Sequence, residues 1–187
     1  MKKLLVIAAA ILSFGAAKAQ VAYLGYQGIS GNTKAGSTTI CEAYNGVFAG
    51  GAYNFDLYEN VGVQPGLEVN FYTRTENNVK DYSMGLRIPV DFNYCFDVAT
   101  DLKVYCFAGP SFYIGLLQEQ EIGDVSTDRY EDQLTRFAFG VSLGAWCDWK
   151  DMLRLKVGFD FELNDRSVTS VNKYKENIFS VSVGYVF

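Results

Sequence analysis

Asn177–Phe187 reads NIFSVSVGYVF and ends the chain on an aromatic residue. Phe179, Val181, Val183, Tyr185 and Phe187 fall on one face of an extended strand. Ile178, Ser180, Ser182, Gly184 and Val186 fall on the other. The period is two, with bulky apolar groups on one side and mostly small or polar groups on the other. A strand in a transmembrane β-barrel carries this pattern, because lipid lies outside and a packed polar lumen inside. Phe179, Val181, Val183, Tyr185 and Phe187 are also read as the assembly signal offered to the barrel-assembly machinery during biogenesis.

The other end of the chain points the same way. Met1-Lys2-Lys3 is basic, Leu4–Ala17 is an apolar run, and Ala17-Lys18-Ala19 sets small residues at −3 and −1 before Gln20. This is a secretory signal peptide, residues 1–19, and 20–187 is then the barrel domain. The run falls short of the about 20 residues that a spanning helix needs. No Cys follows the cleavage position, so no lipid anchor is expected there. Insertion must therefore use closed strands, since lipid cannot satisfy an open sheet edge.

Eight strands of roughly 10 residues account for most of the remaining chain. With 18 Gly, 14 Phe and 13 Tyr, glycine suits a crowded lumen and the aromatics suit two interfacial girdles. A soluble antiparallel barrel or sandwich shares this composition. Alternation marks segments at about 21–30, 43–55, 61–73, 82–96, 102–116, 136–148, 153–164 and 177–187. The fifth is ambiguous in facing, because both its faces are apolar. The connections after the second, fourth and sixth segments are short, and the others are mostly longer and more polar: residues 31–40, 76–80 and 118–133. That rhythm predicts an all-β, eight-stranded antiparallel transmembrane up-and-down β-barrel in the bacterial outer membrane, with both termini periplasmic.

The alternation places Glu68, Arg87, Asp91, Arg154, Lys156, Asp160 and Glu162 in the lumen, with Arg136 and Asp148 near its ends. An eight-stranded barrel has an interior just wide enough for its side chains, so these charges are expected to pair in a plug. An ion path, or a catalytic carboxylate pair at Asp160 and Glu162, is the competing reading. The chain contains no His, which removes the usual base for a Ser or Cys nucleophile and the commonest transition-metal ligand. Lipid-modifying barrel enzymes that depend on His cannot be matched by the same chemistry. No catalytic, cofactor or metal site is expected.

Cys41 is expected at the outer end of the second strand, far from Cys95, Cys106 and Cys147 at the periplasmic end. Cys95–Cys106 is the best disulfide candidate by proximity, although alternation puts the two on opposite faces. Free thiols acting as small apolar residues are the alternative. Within 119–132, Glu119, Glu121, Asp124, Asp128, Glu131 and Asp132 stand against Arg129 alone. Cation-bridged contact with lipopolysaccharide or a basic partner is one reading; a solvated loop kept mobile by its own repulsion is the other. The acidic balance, a net charge of −5, gives no support to nucleic-acid binding.

All three prolines lie inside strand segments, at Pro65-Gly66, Pro89 and Gly109-Pro110, and predict bulges or bends in the wall. The stretches LRIPVDFNYCF (86–96) and VYCFAGPSFYIG (104–115) resemble the paired strands of the PorT-like outer-membrane β-barrel family of Bacteroidota. The Ala19-Gln20 junction is similar to theirs as well. Asp91 stands where relatives often carry Lys. The general layout is also similar to OmpA/OmpX-type small barrels. The resemblance implies an eight-stranded outer-membrane barrel, often without assigned activity, whose named member is an accessory to type IX secretion. The leading expectation is thus a structural or interaction role, with surface loops contacting lipid, lipopolysaccharide or secretion-complex proteins. A narrow channel or small hydrophobic-ligand transporter, and a soluble secreted ligand-binding barrel, are the alternatives. Signal cleavage predicts a protein beginning at Gln20 when it is purified from its own membrane, which intact-mass measurement checks.

Overall fold

The computed structural model describes residues 20–35, 38–76, 79–122, 125–132, 134–168 and 172–187; the signal peptide lies outside them. The strands are β1 (Val21–Ala35), β2 (Thr38–Ala52), β3 (Phe55–Tyr58), β4 (Val61–Glu76), β5 (Val79–Ala99), β6 (Leu102–Ile122), β7 (Val125–Asp128), β8 (Phe137–Trp149), β9 (Leu153–Glu162) and β10 (Asn172–Val186), with one helical turn, α1 (Arg129–Asp132). Eight of them form an antiparallel ring in the order β1, β2, β4, β5, β6, β8, β9, β10. The ring closes on the two ends of the chain, where Val21 pairs Val186 and Ala35 pairs Asn172. Both termini thus lie at one end of the barrel, called the terminal end below, and the opposite end is the distal end. The short β3 pairs the start of β4, where β2 has already ended.

The strands whose facing the sequence reads, β4, β5, β8, β9 and β10, show the predicted alternation. On β9, Leu155, Val157, Phe159 and Phe161 are exposed, and Arg154, Gly158 and Asp160 are buried. On β10, Phe179, Val183 and Tyr185 are exposed, and Ser180 and Ser182 are buried. Apolar outside and polar inside inverts a water-soluble fold and fits a wall that faces lipid.

Two features depart from the sequence reading, the loops and the prolines. The polar stretches read as loops at 31–40, 76–80 and 118–133 are mostly continuations of the hairpins: β5 and β6 pair as far as Val79 and Ile122. Above the apolar belt the outer face of a strand meets water and can be polar like the inner one, so alternation of hydropathy fades while the backbone ladder continues and inward residues such as Asp81 and Gln118 stay buried. The prolines do not shift register. The ladder is interrupted around Pro89 and Pro110, but pairing resumes in step on either side. The offset in that hairpin lies instead where Met84 pairs Leu117 but Gly85 pairs Gly115, which leaves Leu116 bulged. On the terminal side of this bulge Phe107, Ser111 and Tyr113 face the lumen; on the distal side Gln118 does. Large aromatics inside explain why the facing of residues 102–116 is illegible by period, and the switch at Leu116 carries the opposite parity into the distal part of the strand. The four cysteines are free. Cys95 pairs Tyr105 and Cys106 pairs Tyr94, so Cys95 and Cys106 lie on opposite faces of the wall and cannot bridge.

The β8–β9 turn is tight. Met152 N–H donates to the Trp149 carbonyl at 3.1 Å, and Lys150 and Asp151 both take left-handed backbone angles, φ 54° and 51°. Such a turn matches the twist of the flanking strands. Val157 lies midway along the apolar face of β9, so Val157→Arg is expected to cost about 2–4 kcal/mol. Urea unfolding in lipid vesicles measures this; a cost near zero would contradict a lipid-facing position.

Candidate functional site in the barrel lumen

Polar side chains line the lumen from end to end, and β9 supplies the most charge. At the terminal end, Arg154 Nε and Nη2 both donate to Asp148, each at 2.7 Å, and Nη1 reaches Gln64 Oε1 at 3.0 Å. The guanidinium also lies 4.6 Å from the centre of the Trp146 ring, which stacks on Tyr105. The Asp148–Arg154 pair is a direct register pair of β8 and β9.

Midway, ion pairs span the barrel. Lys156 Nζ on β9 sits 2.7 Å from Asp91 on β5, and Asp91 also accepts from Ser142 Oγ at 3.0 Å. Arg87 on β5 reaches Asp160 on β9 at 3.0 Å and Glu68 on β4 at 3.4 Å. Tyr23 O–H donates to Glu68 at 3.0 Å. These groups are almost fully buried, Asp91 to 1% exposure. Voids beside them, near Arg87–Asp160 and near Asp91–Lys156, measure about 30 and 10 Å³, room for a water or two.

Above this lies an aromatic layer: Tyr72 O–H donates to the Tyr113 oxygen. Gly85 and Gly115 make room for it, since a Cβ there would overlap Tyr113 and Tyr130 respectively. Toward the distal end, Arg166 lies 3.0 Å from Glu176 and 3.6 Å from Glu162, and its Nη2 donates to the Tyr130 hydroxyl oxygen at 3.1 Å. Burial opposes the Arg166 charge, but Glu176 and Glu162 outweigh it and hold its pKa well above the ordinary value. Tyr130, on α1, is pushed up by burial and then by Tyr113. Nearest the distal rim, Arg74 pairs Glu42 at 2.7 Å, and Gln120 donates to Asp81 at 2.9 Å.

The structure therefore brings Glu68, Arg87, Asp91, Lys156 and Asp160 together and sets Arg154 with Asp148 below them. Glu162 belongs to the Arg166 cluster. Asp160 and Glu162 are committed to different guanidinium groups, which gives them no shared acid–base geometry. Arg136 is not in the lumen: half exposed on the distal side, it donates to the Leu116 carbonyl at 2.9 Å. Sequence reasoning missed Glu176 and Arg166. Glu176 continues the inward set Ile178, Ser180, Ser182 and needed only a longer strand to be found. Arg166 sits on the β9–β10 connection, where no period applies.

The acidic stretch is not a free loop. Glu119 and Glu121 lie on β6, paired to Asp128 and Ser126 of β7. Asp128 accepts the Tyr130 N–H at 2.9 Å. Tyr130 and Leu134 bury themselves against Tyr174, and this apolar anchor orders the hairpin despite its charge. Asp124 and the side chains of Glu131 and Asp132 lie outside the described residues. Among the described residues, no group of three or more Cys, Asp and Glu side chains is arranged to hold a metal ion.

Removing one partner of a buried pair leaves an uncompensated charge. Arg154→Leu is expected to cost about 3–5 kcal/mol, and Asp148→Leu with Arg154→Leu to cost clearly less than the sum of the single changes. Equilibrium unfolding of the three variants in vesicles checks both.

No curated protein matches the sequence significantly. Among solved structures, the chain is similar to the Neisserial surface protein A, at 15% identity and a TM-score of 0.50, with 89% of this chain and 97% of that one covered. It is also similar to the outer-membrane enzyme PagL, at 12% identity and a TM-score of 0.51, covering 86% and 99%. These likenesses show the shared eight-stranded barrel and leave the activity open. A family model described as the outer membrane protein β-barrel domain matches residues 4–187. With a closed antiparallel ring, an apolar outer belt and a polar lumen, this chain belongs to the outer membrane protein β-barrel domain family.

Proposed function

We propose that this barrel does structural or interaction work in the outer membrane, with a lumen plugged by its own side chains. The observation that carries the reading is the pair of contacts crossing from β5 to β9, Arg87–Asp160 and Lys156–Asp91. They hold opposite walls together and occupy the space that a solute would need. Water-sized voids beside them and the Tyr72–Tyr113 layer above support the same reading against a channel or a hydrophobic-ligand path. The absence of His from the sequence and the separate commitments of Asp160 and Glu162 support a non-enzymatic role.

The two termini are periplasmic in this proposal and the distal hairpins face outward, after export by the Sec route on the signal peptide. The tight β5–β6 and β8–β9 turns at the terminal end fit short periplasmic connections. The barrel is PorT-like and of Bacteroidota type, on the strength of LRIPVDFNYCF and VYCFAGPSFYIG, and its partners are secretion-complex proteins or surface lipid. Phe179, Val181, Val183, Tyr185 and Phe187 present the final strand to the barrel-assembly machinery.

Two measurements test this. In planar bilayers the purified chain is expected to give no steady conductance, and discrete openings would overturn the plug. Extracted in mild detergent from its own membrane, the protein is expected to migrate well above the mass of a single mature chain if secretion partners hold it. Migration at monomer size would remove the secretion-accessory role.

A further inference from the structure

Every strand of the ring has a neighbour on both sides, but β3 has β4 alone. Tyr53 N–H donates to the Pro65 carbonyl at 3.1 Å, and Phe55 pairs Val63, so these residues bond toward β4. Asn54 and Asp56 have the opposite parity and turn their N–H and C=O groups to the free edge. β1 covers that edge only as far as Gln20, whose N–H donates to the Ala52 carbonyl. The Gln20 side chain then accepts the Asn54 N–H at 3.0 Å, standing where a strand would run. Among the described residues nothing covers Asp56 in the same way. An open edge of unpaired peptide groups is a template for a further strand.

The inner side of this edge opens on a cavity at the terminal mouth. It measures about 270 Å³, just under the roughly 300–1,000 Å³ of small-molecule pockets, and so suits a long side chain. Asp56, Glu59 and Asp97 line it, with Lys103 as its one cation. Lys103 Nζ is committed to Asp151 at 2.9 Å, and Asp97 acts on it through space. Asp56 accepts from Asn54 Nδ2 at 2.7 Å; Glu59 and Asp97 have no hydrogen bond or ion pair among the described residues. Asn93 also lines the cavity and is only 4% exposed. Its Nδ2 donates to Asn54 Oδ1 at 2.9 Å, whereas its Oδ1 has no partner among the described residues. Gly62, lacking a Cβ, leaves room beside that oxygen. The next charges inward, Arg154 and Asp148, are spent on each other. The unmet groups are thus all acceptors, and the group that meets them is a donor-rich cation, an ammonium or a guanidinium.

The outer side of the edge is apolar. Phe55 and Tyr58 point away from the mouth and are 51% and 71% exposed. A strand laid against β3 alternates its side chains between these two sides. We infer that the β3 edge and the cavity beside it dock an extended segment of a periplasmic partner, alternating basic with apolar residues, which joins the sheet as one more strand. Backbone pairing at Asp56 supplies affinity. The acids and Asn93 select lysine or arginine at the inward position, and Phe55 with Tyr58 selects apolar neighbours. This deepens the proposed interaction role and rests on it, on signal cleavage before Gln20, and on the terminal end facing the periplasm.

The test uses the full folded chain in detergent micelles and a fluorescent peptide of alternating valine and lysine, with binding read by anisotropy. Wild type is expected to bind this peptide and to ignore one of alternating valine and glutamate. Glu59→Gln/Asp97→Asn is expected to weaken binding about tenfold, and Glu59→Asp/Asp97→Glu to restore most of it. Methylating the peptide's backbone nitrogens is expected to abolish binding, since it removes the ladder donors. No binding by the wild type, or equal binding by the wild type and the folded Glu59→Gln/Asp97→Asn variant, would overturn the site. Equal binding of the methylated peptide would overturn strand addition. Spermidine that competes as well as the unlabelled peptide would overturn a peptide as the occupant. On a native gel of the extracted membrane, the Glu59→Gln/Asp97→Asn variant is expected to run at monomer size. A variant that stays in a large assembly would overturn this docking site alone, and a wild type already at monomer size would overturn the interaction role beneath it. An epitope inserted after residue 77 reads the orientation separately on intact cells; an inaccessible one beside intact peptide binding would overturn the periplasmic placement.

Discussion

A backbone in lipid has no water to bond, so every peptide group in the wall must find its partner in another strand. Closure of β1 onto β10 meets this constraint, and most other features follow from it. A ring of eight strands leaves an interior that only side chains can fill. The residues that point inward must pack, and their polar groups must satisfy one another. The residues that point outward must be apolar across the belt. The alternation of β9 between leucine, valine and phenylalanine on one face and arginine, lysine, aspartate and glutamate on the other is this single demand written in sequence.

The lumen resolves the demand by layering. Arg154 answers Asp148, Arg87 answers Asp160 and Glu68, Lys156 answers Asp91, and Arg166 answers Glu162 and Glu176. Aromatic rings separate the charged layers: Trp146 and Phe107 below, Tyr72 and Tyr113 above. Glycines clear the space these rings need, as Gly85 does for Tyr113. Breaking one pair exposes its partner to a dry interior, whereas exchanging a whole pair for apolar residues of similar size is far milder.

Much of this is legible in the sequence. Strict alternation on β4, β5, β8, β9 and β10 identified the wall, and it assigned Glu68, Arg87, Asp91, Arg154, Lys156 and Asp160 to the inside. It failed where the physics behind alternation stops. Residues 31–35 and 118–122 continue their strands above the belt, where neither face needs to be apolar. Phe107 and Tyr113 put large rings inside, and the bulge at Leu116 reverses the facing midway. Arg166 enters the lumen from a connection, and nothing in a local window says that a loop arginine will be drawn between two glutamates. Arg136 was misplaced for a related reason: it directly precedes β8, and at that height the parity of a strand no longer decides which way a side chain turns.

The pairs that cross from β5 to β9 carry one further consequence. In the sheet these strands stand three steps apart, through β6 and β8, about 14 Å in a flat sheet at ordinary strand spacing. Arg87 and Asp160 therefore cannot touch while the sheet lies open, nor can Lys156 and Asp91. Only curvature brings them into reach. Their charges stay hydrated until the ring rolls up and then lose water and gain partners in one event. The spokes of the barrel thus report its roundness: they latch the closed wall and give no help to the unclosed one.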